Sequence, residues 1–384
     1  MDPPGVAALL LLLVFLASVI SVEAALSVAI IEILAGVIAG SLFGIHGAPW
    51  FDFLAQSGGI LLTLLAGTEV DPGLLRRKLG QGLLQGGGSF LVPFLAAAAF
   101  AAFALHWTPR ASLIAGCALS TTSLAVVYAV LVETRLNATD LGKLIMAATF
   151  VTDIGTALAL SILFVVPGVM TAVFFGVSAL VIVAAPRLIP PLFERYGARV
   201  IEPEVKLIFA LLLGLMLLAR IGSSHAVLPV FVLGLVLGPM FHRRPDLLRK
   251  LRVVAFGMVT PCFFLKGGMS VSLPALGPQV GVIAVLLAVK LVAKSIAVFP
   301  LARLQMPGAA TYATLLMSTG LTFGTISSLY GLQAGIVDQT QFSVLVTVVI
   351  ASAVVPTAIA QRWFAPRLSP EQQEELLARE EESM

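Results

Sequence analysis

Leu34-Ala-Gly-Val-Ile-Ala-Gly40 returns in the second half of the chain as Val232-Leu-Gly-Leu-Val-Leu-Gly238, 198 residues on. The same displacement carries Ser120-Thr121 onto Ser318-Thr319, and one of 201 carries Leu64, Gly67 and Val70 onto Leu265, Gly268 and Val271. A single match of this length is weak, but three at a nearly constant offset mark an internal repeat. Around these segments the chain is 59% hydrophobic and 11% charged over 384 residues, with a mean hydropathy of +1.04. A soluble domain carries roughly 25% charged residues. The composition therefore points to an all-α polytopic membrane protein and leaves no soluble core to look for.

Apolar stretches long enough to cross ~30 Å of hydrocarbon fall at about 5–22, 26–44, 53–70, 82–105, 112–132, 139–166, 168–185, 205–221, 225–241, 253–272, 280–302, 311–333 and 341–361. The reading is about thirteen transmembrane helices. Charge tests it, because one missed span would scramble the alternate loops. Of the 23 Lys and Arg, 18 fall on one side, only Arg110 and Arg220 on the other, and Lys266, Lys290 and Lys294 inside spans. The cation-rich side is the cytoplasmic one, which puts the N-terminus outside and the C-terminus inside a cell (inner) membrane.

The repeat moves the second span onto the ninth, the third onto the tenth and the fifth onto the twelfth. A shift of seven is odd, so the two copies run in opposite senses through the bilayer. Inverted-topology repeats are the signature of secondary transporters, whose sites lie at the midplane where discontinuous helices meet. The expected organisation is a first repeat over residues 1–166, a linker helix and cytoplasmic loop over 167–204, a second repeat over 205–365, and a short acidic cytoplasmic tail over 366–384. The tail leaves no room for a cytoplasmic regulatory domain. No Lys or Arg precedes the first stretch, so it reads as a retained helix and not as a signal peptide. Cys117 and Cys262 fall inside spans and imply no disulfide framework. The pI near 9.0 follows from the basic loops and calls for no nucleic-acid partner. No cofactor motif is present.

The most broken-looking pair is the fifth span, with Ser120-Thr121-Thr122-Ser123, and the twelfth, with Ser318-Thr319-Gly320-Leu321-Thr322-Phe323-Gly324. Their hydroxyls and freed carbonyls are the oxygen ligands that hard monovalent cations take, and half-helix ends add dipole charge. The plainer alternative is that small residues let helices pack closely. Asp153 stands near the middle of the sixth span, with no other acidic residue between Asp140 and Glu194. An ionisable group at that depth costs at least ~2.5 kcal/mol on insertion scales and is functional by default. In the other half, Lys294 lies mid-span in the eleventh, with Lys290 one turn earlier on the same face. A static ion pair between Asp153 and Lys294, holding the repeats together, is the structural alternative. Glu32 and Glu69 are accessory candidates, although capping at the membrane interface accounts for Glu69. Asp71 ends the same span, and His225 reads as interfacial.

Taken together, Ile31-Glu-Ile-Leu-Ala-Gly-Val-Ile-Ala-Gly40, Leu64-Leu-Ala-Gly-Thr-Glu-Val70, Thr121-Thr-Ser-Leu-Ala-Val126, Thr152-Asp153 and Lys294 resemble the cation:proton antiporter-2 family of bacterial sodium/proton and Kef-type potassium/proton antiporters. The resemblance covers essentially the whole membrane part. It implies that Asp153 binds the cation and the proton, that Lys294 is the basic residue crossing behind it, and that Thr121, Thr122 and Ser123 form the unwound part of the fifth helix. It also implies a homodimer and an elevator-like movement of helices 4 to 6 and 11 to 13 against a scaffold. Two departures stand out. Thr152 precedes Asp153 where relatives carry Asp or Asn, and Met317 to Gly324 lacks the Arg and Glu that some relatives have.

The expected activity is exchange of Na+ or K+ for a proton. The runner-up is a sodium-coupled symporter of a small organic anion, which shares the architectural plan but wants a more polar cavity. Enzyme activity is not expected. An aspartyl intramembrane protease needs two carboxylates close together, and Gly87-Gly88-Ser89 has no histidine well inside a span to act as its base.

Overall fold

The computed structural model describes residues 3–24, 27–44, 49–68, 72–134, 136, 139–164, 168–197, 199, 201–222 and 224–366. Every regular element among them is helical. In chain order these are α1 (Pro3–Ala24), α2 (Val28–Phe43), α3 (Pro49–Thr68), α4 (Pro72–Phe103), α5 (Pro109–Ser120), α6 (Leu124–Glu133), α7 (Asp140–Leu163), α8 (Val169–Tyr196), α9 (Pro203–Ile221), α10 (Val227–Arg243), α11 (Pro245–Val254), α12 (Thr260–Met269), α13 (Leu273–Leu276), α14 (Val280–Gln305), α15 (Ala310–Met317), α16 (Thr322–Gln333) and α17 (Gln339–Ile359). Seven helical stretches among the described residues are long and apolar enough to cross a membrane by themselves. The fifth and twelfth apolar stretches are each divided into two short helices, at 121–123 and 318–321.

Local sequence explains where several helices begin. The Thr108 hydroxyl accepts from the Ala111 amide ahead of Pro109, and the Thr139 hydroxyl accepts from the Gly142 amide. Asp338 and Gln341 close a capping box at the head of α17. Each satisfies amides that a helix start leaves open. Helix α11 departs from the sequence reading, which left this basic stretch as loop. Leu247 and Leu251 are buried on one side, Arg249 and Lys250 lie on the other, and a π-helical turn at Ala255–Val259 joins it to α12. Lys250 meets Glu202 at 2.8 Å, and that hydrogen bond raises the ammonium above the ordinary lysine value.

Contacts sort the helices into two groups, α1–α3 with α8–α12 and α4–α7 with α14–α17. In the first group the repeat becomes geometry. Gly36 of α2 abuts α12, where a Cβ would stand 2.2 Å from the Leu265 carbonyl oxygen, and Gly268 abuts α2, 2.0 Å from the Ile33 carbonyl oxygen. Gly234 of α10 abuts α3, 2.2 Å from the Leu64 carbonyl oxygen, and Gly67 returns the contact, 2.3 Å from that of Phe231. The partners are related by the offsets of the sequence repeat, 36 to 234 and 67 to 268. Only glycine permits backbones this close.

Polarity is inverted relative to a soluble protein. Lys290, Lys294, Asp153 and many Ser and Thr are buried, while Phe15, Leu91, Leu180 and Ile296 on the outer faces are 62%, 53%, 68% and 63% exposed. Lipid is the solvent that makes such a surface stable.

Candidate functional site

The two helix breaks touch. The Ser123 amide donates to the Thr319 carbonyl oxygen at 3.1 Å, and the Thr122 hydroxyl donates to the Met317 carbonyl oxygen at 2.8 Å. Gly320 lies at the contact, where a Cβ would stand 2.3 Å from Lys290 Nζ and 2.8 Å from Thr121 Oγ1. Hydroxyls of the second break bond back onto α15: Thr314 accepts from Ser318 Oγ at 2.7 Å and Leu316 from Thr319 Oγ1 at 2.8 Å, while Ser352 Oγ donates to its own helix at the Val349 carbonyl oxygen, 2.8 Å away, and lies 3.4 Å from the Gly320 carbonyl oxygen. Unsatisfied backbone at this depth costs several kcal/mol per group, so the hydroxyls explain how an apolar span tolerates an interruption. Thr322 opens α16 beyond the break and is part-exposed.

Asp153 is 2% exposed in α7. Thr152 turns its hydroxyl onto the Thr149 carbonyl oxygen at 2.5 Å, along its own helix. In α14, Lys294 Nζ donates to Ser89 Oγ at 2.8 Å and to Thr122 Oγ1 at 2.9 Å, and the Asp153 carboxylate acts on it electrostatically. Lys290 Nζ donates to Ser352 Oγ at 2.9 Å. Both lysines are fully buried. Asp153, Lys294, Lys290, Thr121, Thr122, Ser123, Ser318 and Thr319 thus belong to one buried polar constellation.

Other sequence candidates stand elsewhere. Glu32 is buried in α2 within electrostatic reach of Cys262, and α2 packs on α1 and α12, neither of which carries a break. Glu69 lies outside the described residues. Lys266, unassigned from sequence, pairs with Asp52 at 2.6 Å across α12 and α3. Sequence reasoning missed Ser89 and Ser352, the hydroxyls that receive the two ammonium groups. A serine inside an apolar span gives no local signal of what it faces, and only the count of donors on Lys290 and Lys294 asked for such acceptors. Among the described residues no group of three His, Cys, Asp or Glu side chains is arranged to hold a metal ion.

Three aromatic rings meet across α7, α10 and α16. Phe231 of α10 stacks on Phe150 of α7 at 5.5 Å and meets Phe323 of α16 edge-on at 5.9 Å. One turn further along α10 and α16, Val227 and Ile326 line a cavity of about 510 Å³, together with Gln56, Arg220, His225 and Tyr330.

A family model described as "Sodium/hydrogen exchanger, transmembrane" matches residues 6–365. The chain is 28% identical over 256 residues to a probable Na(+)/H(+) antiporter 3 of Methanocaldococcus jannaschii, covering 62% of this chain and 64% of that protein, under two thirds of its length. It is 24% identical over 373 residues to the Na(+)/H(+) antiporter NhaS4 of Synechocystis, covering 87% and 90% of the two chains. The fold matches that of the sodium proton antiporter MjNhaP1 from Methanocaldococcus jannaschii at pH 8, with a TM-score of 0.71 over 94% of this chain and 98% of that one at 15% identity. These matches give no support to the symporter reading. With a match running through both helix breaks, Asp153 and Lys294, the chain belongs to the sodium/hydrogen exchanger family, a family of transporters.

Proposed function

We propose that this protein exchanges a monovalent cation, Na+ or K+, for a proton across the cell (inner) membrane, with Asp153 as the carboxylate both ions share. The observation that carries the reading is the buried meeting of Asp153, Lys294 and two interrupted helices. A carboxylate holds one positive charge at a time in a dry site, so a cation leaves as a proton arrives, and the two fluxes are coupled. Thr121 and Ser123, with the freed backbone of the first break, supply neutral oxygens for the cation. At the second break the Met317 and Thr319 carbonyls are taken by Thr122 and Ser123, and this break serves as frame. The relatives named above, themselves Na(+)/H(+) antiporters, support the same exchange.

Alternation of access requires the group α4–α7 with α14–α17 to move against α1–α3 with α8–α12, and the Phe150–Phe231–Phe323 layer lies on that boundary. The cavity beyond the rings opens on the face of Arg220, which the charge asymmetry assigns to the outside. The protein works as a homodimer in the lipid bilayer, without a cofactor and without enzymatic activity, with its N-terminus outside and C-terminus in the cytoplasm.

Purified protein in proteoliposomes tests this with a pH-sensitive dye and an imposed gradient of each cation in turn. Proton flux driven by Na+, K+ or Li+ is the expected result. Absence of flux with every cation, from protein shown to be folded, sinks the reading.

A further inference from the structure

Ser89 is a fully buried hydroxyl in α4 that exchange at a single carboxylate does not by itself require. It follows Gly86-Gly-Gly88, of which Gly86 lies against α7. A Cβ on Gly86 would stand 2.4 Å from the Ala148 carbonyl oxygen and 2.5 Å from Val151 Cβ. The Phe90 ring covers Gly155, lying 2.8 Å from where a Cβ would be. Ser89 falls between these contacts on α4, just as Asp153 falls between Val151 and Gly155 on α7. The two residues are therefore level with one another.

The ammonium of Lys294 connects them. It donates to Ser89 at 2.8 Å and to Thr122 at 2.9 Å, and the Thr122 hydroxyl in turn donates to the Met317 carbonyl oxygen at 2.8 Å. The positive charge is thus carried toward the C-terminal end of α15, where the carbonyl dipoles favour it. Two charged groups act on this ammonium, Asp153 from the neighbouring α7 and Lys290 from its own helix.

We propose that Ser89, together with Thr122, is the dock that holds the Lys294 ammonium off Asp153 while the transported cation occupies that carboxylate. Ser89 is then a positioning residue of the exchange. This inference rests on the antiport reading, in which the ammonium and the cation compete for one carboxylate. A dock of two hydroxyls lowers the share of Asp153 taken by Lys294, and its loss moves the competition against the cation.

The test measures initial exchange rates of full-length protein in proteoliposomes against cation concentration, for wild type, Ser89→Ala and Ser89→Thr. Ser89→Ala is expected to raise the apparent cation KM about tenfold, the worth of one hydrogen bond to a charged group, with maximal rate retained. Ser89→Thr keeps the acceptor and restores the KM. In a Lys294→Met background, where turnover is not needed, the cation concentration for half-maximal thermal stabilisation should be the same with Ser89 or Ala at position 89. An unchanged KM in Ser89→Ala overturns the dock, as does a shift that persists without Lys294. Should Ser89→Ala not fold, Ser89→Cys keeps the volume with a poorer acceptor and must raise the KM in the same direction, and no rise overturns the proposal. Wild-type protein that exchanges no cation for protons refutes the antiport reading, whereas exchange with unaltered Ser89 variants refutes the dock alone.

Discussion

Asp153 is 2% exposed within an apolar helix, a placement whose cost makes function the default reading of a carboxylate. Asp153→Asn keeps the volume and the hydrogen-bonding shape but holds neither a proton in exchange nor a cation. We predict abolished cation-driven proton flux with normal insertion and an undiminished melting temperature, read by the vesicle assay and by thermal unfolding in detergent. Near wild-type flux would remove Asp153 from the centre. Lys294→Ala removes the donor to Ser89 and Thr122 and leaves an empty stem-sized volume among buried groups. The expected loss of stability is roughly 3 kcal/mol, together with a displaced pH dependence of exchange. A variant with unchanged melting and an unchanged pH profile shows that the lysine is a bystander. Asp153 and Lys294 were legible in the sequence because a charge in an apolar span stands out by its cost. Ser89 and Ser352 were not, because a hydroxyl can bond its own helix and insert at little cost.

Helices meet here through glycine. At Gly268 a Cβ would fall 2.0 Å from the Ile33 carbonyl oxygen and at Gly234 2.2 Å from that of Leu64, whereas Gly281 has nothing within 4 Å. Gly268→Leu and Gly234→Leu must therefore push α2 from α12 and α10 from α3, and because the two contacts are repeat-related they should destabilise alike, each by about 3 kcal/mol. Gly281→Ala should leave melting unchanged. Thermal unfolding of the three variants checks this, and a tolerant Gly268→Leu would contradict the close packing. At the boundary between the helix groups, Phe231 fills the space between Phe150 and Phe323. Phe231→Ala opens that layer, and we predict a proton leak in vesicles without any cation gradient. A leak no greater than that of wild type would show that another layer closes the site. The interruptions at 121–123 and 318–321 were visible as hydroxyl-rich clusters. Their mutual contact through Met317, Thr319 and Gly320 was not, since those bonds join residues nearly 200 positions apart.

For the molecule as a whole, charge bookkeeping decides the energetics of exchange. Thr152 stands where a second carboxylate would, and its hydroxyl is engaged with Thr149. On the proposed exchange, with Lys294 protonated throughout, one monovalent cation would replace one proton at Asp153, and we predict an electroneutral cycle. An imposed membrane potential, with equal cation on both sides, should then drive no proton uptake. Potential-driven uptake would mean that a second group, Lys294 first among them, changes its protonation during the cycle.

The sequence by itself determined that the chain is helical and rich in apolar spans, and it marked out Asp153, Lys290 and Lys294 as ionisable groups within those spans. Each of these is written in periodicity, composition or cost, quantities that sum along the chain. Only the tertiary structure decided which hydroxyls receive the lysines, that Glu32 lies within electrostatic reach of Cys262, and that Phe231 lies between Phe150 and Phe323. Those depend on the rotation of each helix about its axis and on its height against its neighbours. In an apolar solvent hydrophobicity no longer sets these quantities, and close packing of small residues and pairing of polar ones do.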